Sequence, residues 1–173
     1  HDVLVSTGGF IERVLATSPG AVDRYLQECR ALGFDIVEIS SGFLVIPTDD
    51  LLRLCEKVQA LGLKAKPEVG IQFGAGGASS PHALSAGGTR DPALAIQAAA
   101  RFLDAGAHMV MIESEGITEQ VRTWRTDVVA RLVESLGLEK LMFEAADPAV
   151  FQWYVKNFGP DVNLFVDHSQ IVQ

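Results

Sequence analysis

The sequence predicts an α/β fold of the TIM (β/α)8-barrel class, with about six of the eight strand–helix units present, from the third strand to the eighth. Three observations carry this reading. Short apolar strands alternate with amphipathic helices along the whole chain, the pattern of a parallel sheet with right-handed crossovers. The strands are rich in Val, Ile, Leu, Met and Phe, as strands covered on both faces are. Nearly every strand delivers a polar residue at its C-terminal end, which suits a barrel, where the loops after the strands converge on one mouth. A doubly wound open sheet would instead show a glycine-rich first turn and one switch-point crevice.

The strands are expected at Val3–Ser6, Ile36–Ser40, Lys64–Val69, Met109–Glu113, Leu141–Glu144 and Asn163–Val166. The first helix follows Ser18-Pro19, read as N-cap and N1, turns Val22, Tyr25, Leu26 and Cys29 to one face, and stops at Gly33. The second starts after Thr48, with Asp49 and Asp50 in its positive first turn, an inner face of Leu51, Leu54, Cys55 and Val58, and an end at Gly62. The third opens with Asp91-Pro92 and ends at Gly106; the fourth is expected from about Thr118 to Leu136, before Gly137. The fifth opens with Asp147-Pro148, turns Val150, Phe151, Tyr154 and Val155 inward, and ends at Gly159-Pro160. Trp124 and Trp153 read as packing residues. Six strands do not close an eight-stranded barrel, so residues 1–173 are expected to form one barrel domain incomplete at both ends. Two units would precede His1 and a helix would follow Gln173.

Composition narrows the function classes. An apolar share of 48% with 21% charged residues is that of a globular chain. No apolar run reaches the roughly 18 residues of a membrane span, and the first residues lack the basic and apolar regions of a signal peptide. The net charge of −8 argues against a nucleic-acid surface. Cys29 and Cys55 fall on apolar helix faces and read as buried thiols, which fits a reducing cytoplasm. A homo-oligomer is left open.

Period-two alternation sorts the strand residues by face. Glu38 shares a face with Ile36 and Ser40, Glu68 with Lys66 and Gly70, Glu113 with Met111 and Glu115, and Glu144 with Met142. Carboxylates gathered at successive strand ends repel each other unless a cation sits among them, and a hard divalent ion such as Mg²⁺ takes oxygen ligands. Glu38, Glu68, Glu113 and Glu144 are therefore candidate metal ligands; pairing with Lys66 or with backbone N–H groups is the alternative for any one of them. Thr7-Gly8-Gly9 and Ser40-Ser41-Gly42 follow the first two strands, where backbone N–H groups can approach an anion, or form ordinary tight turns. Residues 71–90, with Phe73-Gly74-Ala75-Gly76-Gly77-Ala78-Ser79-Ser80, read as a glycine-rich loop at the active face, without the Gly-Lys-Ser/Thr ending of a nucleotide loop. His82 within it reads as a loop residue. Asn163, Asp167 and His168 surround the last strand, and His168 is either a proton donor or a turn residue capped by Ser169.

Several segments together resemble the phosphosulfolactate synthase family. They are Gly8-Gly9 with Glu12, the run from Glu28 through Gly33-Phe34-Asp35 to Ser40, Glu68-Val69-Gly70, Asp104-Ala105-Gly106-Ala107, Ile112-Glu113, Phe143-Glu144-Ala145 and Val162-Asn163-Leu164. Thr123-Trp124-Arg125-Thr126-Asp127 and Phe165-Val166-Asp167-His168-Ser169-Gln170 are similar to the family's heat-stress-associated branch. The resemblance implies a (β/α)8 barrel and Mg²⁺-dependent addition of sulfite to phosphoenolpyruvate. It differs from the synthase pattern twice. Ile71 and Gln72 stand where the synthases carry a lysine proposed as proton donor, and Ser114-Glu115-Gly116-Ile117-Thr118 replaces an Arg-Glu-Ser-Gly type loop. On that basis Lys66, Glu68 and His168 are the expected catalytic residues, with Lys66 or His168 replacing the absent acid. Gly8, Gly9, Ser40, Ser41, Gly42, Arg125 and Asn163 are expected to bind the small anionic substrate. A heat-stress-protective barrel without synthase activity, or another metal-dependent aldolase or isomerase, are the alternative functions.

Overall fold

The computed structural model describes residues 2–7, 11, 13, 14, 18, 20–41, 46–71 and 91–166. Among these, six strands form one sheet in chain order, every neighbouring pair parallel: β1 (Leu4–Val5), β2 (Ile36–Ile39), β3 (Lys64–Val69), β4 (Val110–Ile112), β5 (Leu141–Ala145) and β6 (Asn163–Val166). The crossovers carry α1 (Ala21–Ala31), α2 (Thr48–Ala60), α3 (Pro92–Asp104), α4 (Thr126–Leu136) and α5 (Pro148–Phe158).

Sequential order in a parallel sheet is what a barrel wall requires, and the side chains show that the wall curls. Strands in a sheet lie about 4.8 Å apart, so β3 and β6 would be about 14 Å apart if the sheet were flat. Yet Lys66 Nζ on β3 lies 5.1 Å from the centre of the Phe165 ring on β6. It also lies 3.5 Å from Met142 Sδ on β5. Side chains from one face converge, so that face is concave. The strands form a curled half-barrel.

Alternation divides the sheet between packing and chemistry. Val37, Ile39, Ala65, Val110, Ile112, Leu141 and Phe143 are buried among Leu26, Cys55, Val58, Phe102, Leu132 and Tyr154 of the helices. Burying each large aliphatic or aromatic side chain contributes roughly 1.5–3 kcal/mol, so this outer layer holds the fold. The positions between carry Glu38, Lys66, Glu68, Met111, Met142 and Glu144.

Local signals explain the helix boundaries in most cases. Asp91 Oδ1 accepts from Ala93 N at 2.9 Å, and Asp147 Oδ1 accepts from Ala149 N and Val150 N at 2.8 and 3.0 Å, each with proline in the first turn. Gly62 and Gly106, at φ of 76° and 87°, turn the chain out of α2 and α3 into the next strand. Cys29 and Cys55 are free and buried, as expected, and burial pushes the Cys55 thiol up to about 12.

Four expectations are corrected. The fourth helix begins at Thr126, not near Thr118. Gly116 and Gln120 have φ of 81° and 56°, and the Glu115–Glu119 bridge folds residues 113–125 into a compact loop before the helix. The residue preceding α1 is Gly20, not Ser18, whose carbonyl accepts from Ala21 N and whose hydroxyl accepts from Arg24 Nη2. Thr48 is itself the first residue of α2. Phe151 is 41% exposed, because Val150 and Tyr154, four residues apart, occupy the inner stripe of α5. Residues 72–90 lie outside the described residues.

Candidate active site

The concave face holds two polar clusters. The first is centred on Glu38 in β2 and Lys66 in β3, which are register partners. Both side chains are essentially inaccessible, and Lys66 Nζ donates to Glu38 Oε2 at 3.0 Å. The other oxygen, Glu38 Oε1, accepts from Ser6 Oγ at 2.8 Å and from Ser40 Oγ at 3.1 Å. Thr7 Oγ1 closes the group by donating to the Glu38 carbonyl at 3.0 Å. A buried charge persists only when paired and hydrogen-bonded, and both conditions are met here. Among the described residues Nζ also meets soft groups, Met111 Sδ at 3.2 Å, Met142 Sδ and the Phe165 ring.

The second cluster is acidic and lies where β4 and β5 end. Ser114 N donates to Glu113 Oε1 at 2.9 Å and approaches Glu144 Oε2 at 3.3 Å. Ser114 Oγ lies 2.8 Å from Glu119 Oε2, 3.1 Å from Glu144 Oε2 and 3.4 Å from Glu113 Oε1. A hydroxyl has one hydrogen and cannot satisfy three carboxylates at once. A proton shared within the cluster removes the conflict. Consistently, burial first, then a hydrogen bond with Glu144 and the charges of Glu68, Glu144 and Glu115, hold the Glu113 carboxyl well above the usual carboxylate range. Glu68 is pushed up to about 8, by burial first and then by Glu38 and Glu144, with Lys66 opposing.

The other expected site residues divide. Ser40 belongs to the Glu38 cluster, and Ser41 is half-buried beside it. Asn163 opens β6, two residues before the register partner of Glu144, and its Nδ2 donates to Leu141 O at 3.2 Å. Arg125 is turned to Asp127, with two bonds of 2.9 Å in an exposed pair that raises the guanidinium and lowers the carboxyl. Its amide donates to Ile117 O at 2.8 Å, but among the described residues no side-chain hydrogen bond or ion pair brings the guanidinium to the acidic cluster. Gly8, Gly9, Gly42 and His168 lie outside the described residues. Ser114 and Glu119 are participants that sequence reasoning missed. Thr118 Oγ1 is the one buried side-chain polar atom among the described residues without a hydrogen-bond partner. The signal available was the run Glu113–Glu119 itself, three carboxylates and two hydroxyls directly after a strand.

A sequence model of the (2R)-phospho-3-sulfolactate synthase (ComA) family matches residues 1–173. The chain belongs to that family. Protein HEAT-STRESS-ASSOCIATED 32 of Arabidopsis thaliana is 37% identical over 182 residues, covering 99% of this chain and 64% of that protein. A phosphosulfolactate synthase of Methanothermobacter thermautotrophicus is 31% identical over 153 residues, covering 83% and 54%. The chain thus spans between half and two thirds of the length of these relatives. Among solved structures, the carboxyl transferase domain of Rhizobium etli pyruvate carboxylase with 3-hydroxypyruvate superposes with a TM-score of 0.64 at 14% identity, covering 95% of this chain and 27% of that one. An L-ribulose 3-epimerase superposes with 0.56 at 21% identity, covering 95% and 59%. These two likenesses concern the fold alone.

The donor chemistry of the acidic cluster fits a hard divalent ion. Glu68, Glu113 and Glu144 offer oxygen only, and the raised carboxyls express a shortage of positive charge around them. No three His, Cys, Asp or Glu side chains among the described residues are gathered on one ion position; Ser114 occupies the centre of the cluster.

Proposed function

We propose that this family member contributes the acidic half of a phosphosulfolactate synthase-like lyase site, which adds sulfite to phosphoenolpyruvate or a closely similar small anion. The observation that carries the reading is the pairing, on one concave face, of a buried lysine with carboxyls that crowd one another. Glu68, Glu113 and Glu144 would hold Mg²⁺, which when bound supplies positive charge where negative charge grows on the substrate carboxylate. Glu38 serves as the counter-ion that orients Lys66, which leaves three of the four glutamates for the ion. In the reaction a carbon–sulfur bond forms at the substrate methylene carbon as the double-bond pair moves toward the carboxylate. Lys66 Nζ then delivers a proton to the neighbouring carbon, in place of the lysine absent at Ile71-Gln72. By their places in the sequence, Gly8, Gly9, Ser41 and Gly42 are assigned to binding the anion, and His168 to the role of a second proton donor.

The test uses the full-length protein with phosphoenolpyruvate, sulfite and Mg²⁺, following product by mass spectrometry. Phosphosulfolactate should form, and Glu68→Gln should lower the rate by about 100-fold or more, the scale of losing a group that acts in the transition state. Product no higher than the protein-free background would end the synthase reading.

A second reading is favoured by the relative at 37% identity, whose name ties it to heat stress. In it the barrel protects cells without catalysis. Survival of heat-challenged cells separates the two, because only the second lets Glu68→Gln protect as well as the native protein.

A further inference from the structure

We propose that Ser114 is a positioning residue that sets the orientation of Glu113 and Glu144 for a divalent cation, with Glu119 as the outer anchor. The cation itself rests on the function proposed above; the positioning does not. Ser114 is 3% exposed, and each of its polar groups is engaged in the same local task. Its amide donates to Glu113 Oε1 and lies within reach of Glu144 Oε2. Its carbonyl accepts from Ile117 N, Thr118 N and Glu119 N, at 3.0, 2.9 and 3.1 Å, and so folds the following loop back on itself. Folding the loop brings Glu119 Oε2 to 2.8 Å from the Ser114 hydroxyl, which also faces Glu144 Oε2 and Glu113 Oε1.

The backbone bonds survive in an alanine, so the loop should keep its path without the hydroxyl. The side-chain contacts do not survive, so Glu119 and Glu144 would lose their common anchor. A second observation points the same way. Thr118, in the middle of this loop and 6% exposed, keeps a hydroxyl without a hydrogen-bond partner among the described residues. A buried hydroxyl of this kind calls for a partner, and the loop that carries it is the one that brings Glu119 to Ser114.

Two measurements on full-length protein test the role. The first is carbodiimide and glycine ethyl ester labelling of the ion-free protein, read by mass spectrometry at each glutamate. Ser114→Ala should raise labelling at Glu119 and Glu144 severalfold while exposed Glu134, remote in sequence, stays unchanged, and Ser114→Thr should return labelling to the native level. The second is calorimetric titration with MnCl2. Ser114→Ala should weaken Mn²⁺ binding about tenfold, the usual effect of losing an outer-shell partner, and Ser114→Thr should restore it. Unchanged labelling in Ser114→Ala overturns the proposal whether or not Mn²⁺ binds. So does a general rise at all glutamates, which would mean that the hydroxyl only holds the fold. If native protein binds no Mn²⁺ but the labelling changes as stated, Ser114 keeps its role and the metal in the proposed function falls.

Discussion

At the scale of single residues, Lys66 and Glu38 show what alternation can and cannot say. Period two puts both on the concave face, but only the register between β2 and β3 makes them opposite partners. Register depends on how two strands slide past each other, and one strand's sequence does not contain it. Glu38 therefore read as an ion ligand equal to the others, when its carboxylate is already met by Lys66, Ser6 and Ser40. Glu119 was illegible for a similar reason: its approach to Ser114 follows from the left-handed turn at Gly116 and the amides that fold back onto the Ser114 carbonyl. Breaking a buried pair from one side strands the other charge. Lys66→Met should accordingly cost about 3–5 kcal/mol in urea unfolding, and adding Glu38→Gln should recover most of that loss. A single variant as stable as the native protein would mean that the pair contributes nothing.

Among the elements, the two helices with an Asp-Pro start were readable at their first residue, whereas the starts of α1, α2 and α4 were displaced. Asp91-Pro92 and Asp147-Pro148 announced α3 and α5 because a short acceptor beside a proline offers the first free N–H groups what they need. Residues 118–125 contain no comparable marker, and their mixture of apolar and polar residues ran into the true start of α4 at Thr126. In α5 the cap and the packing reinforce each other: Tyr154 stacks on Phe143 of β5 with ring centres 4.8 Å apart, and Trp153 meets Trp124 edge-on at 6.3 Å. Asp147→Ala should lower stability by about 1 kcal/mol, measured by denaturant midpoint, because both cap bonds to Ala149 N and Val150 N disappear. Asp147→Ser or Asp147→Asn should cost much less.

For the whole molecule, parallel strands, their order and the apolar helix faces were all legible, because they follow from local pattern. The curl of the sheet was expected from the polar residues at the strand ends, but the division of the acids between a lysine pair and a carboxyl cluster around Ser114 was not, because it arises between strands. The raised carboxyls give the molecule a pH signature. Glu68 in the folded chain holds its proton up to about pH 8, whereas an unfolded glutamate releases it near its ordinary value. Between those limits the folded state binds the extra proton, so ion-free protein should lose stability as pH rises from about 4.5 to about 8, by on the order of a few kcal/mol. Melting temperature against pH should show this fall, and Glu68→Gln should flatten it. Finally, one sheet divides its labour by residue parity: odd neighbours such as Val37, Ala65 and Phe143 face helices, while Glu38, Lys66 and Glu144 face inward. Inheritance can then act on the two sets separately. A lineage can exchange inward side chains, and with them the molecule accepted, while the scaffold beneath goes on folding as before; a family of shared architecture and divergent tasks is what such a wall makes easy.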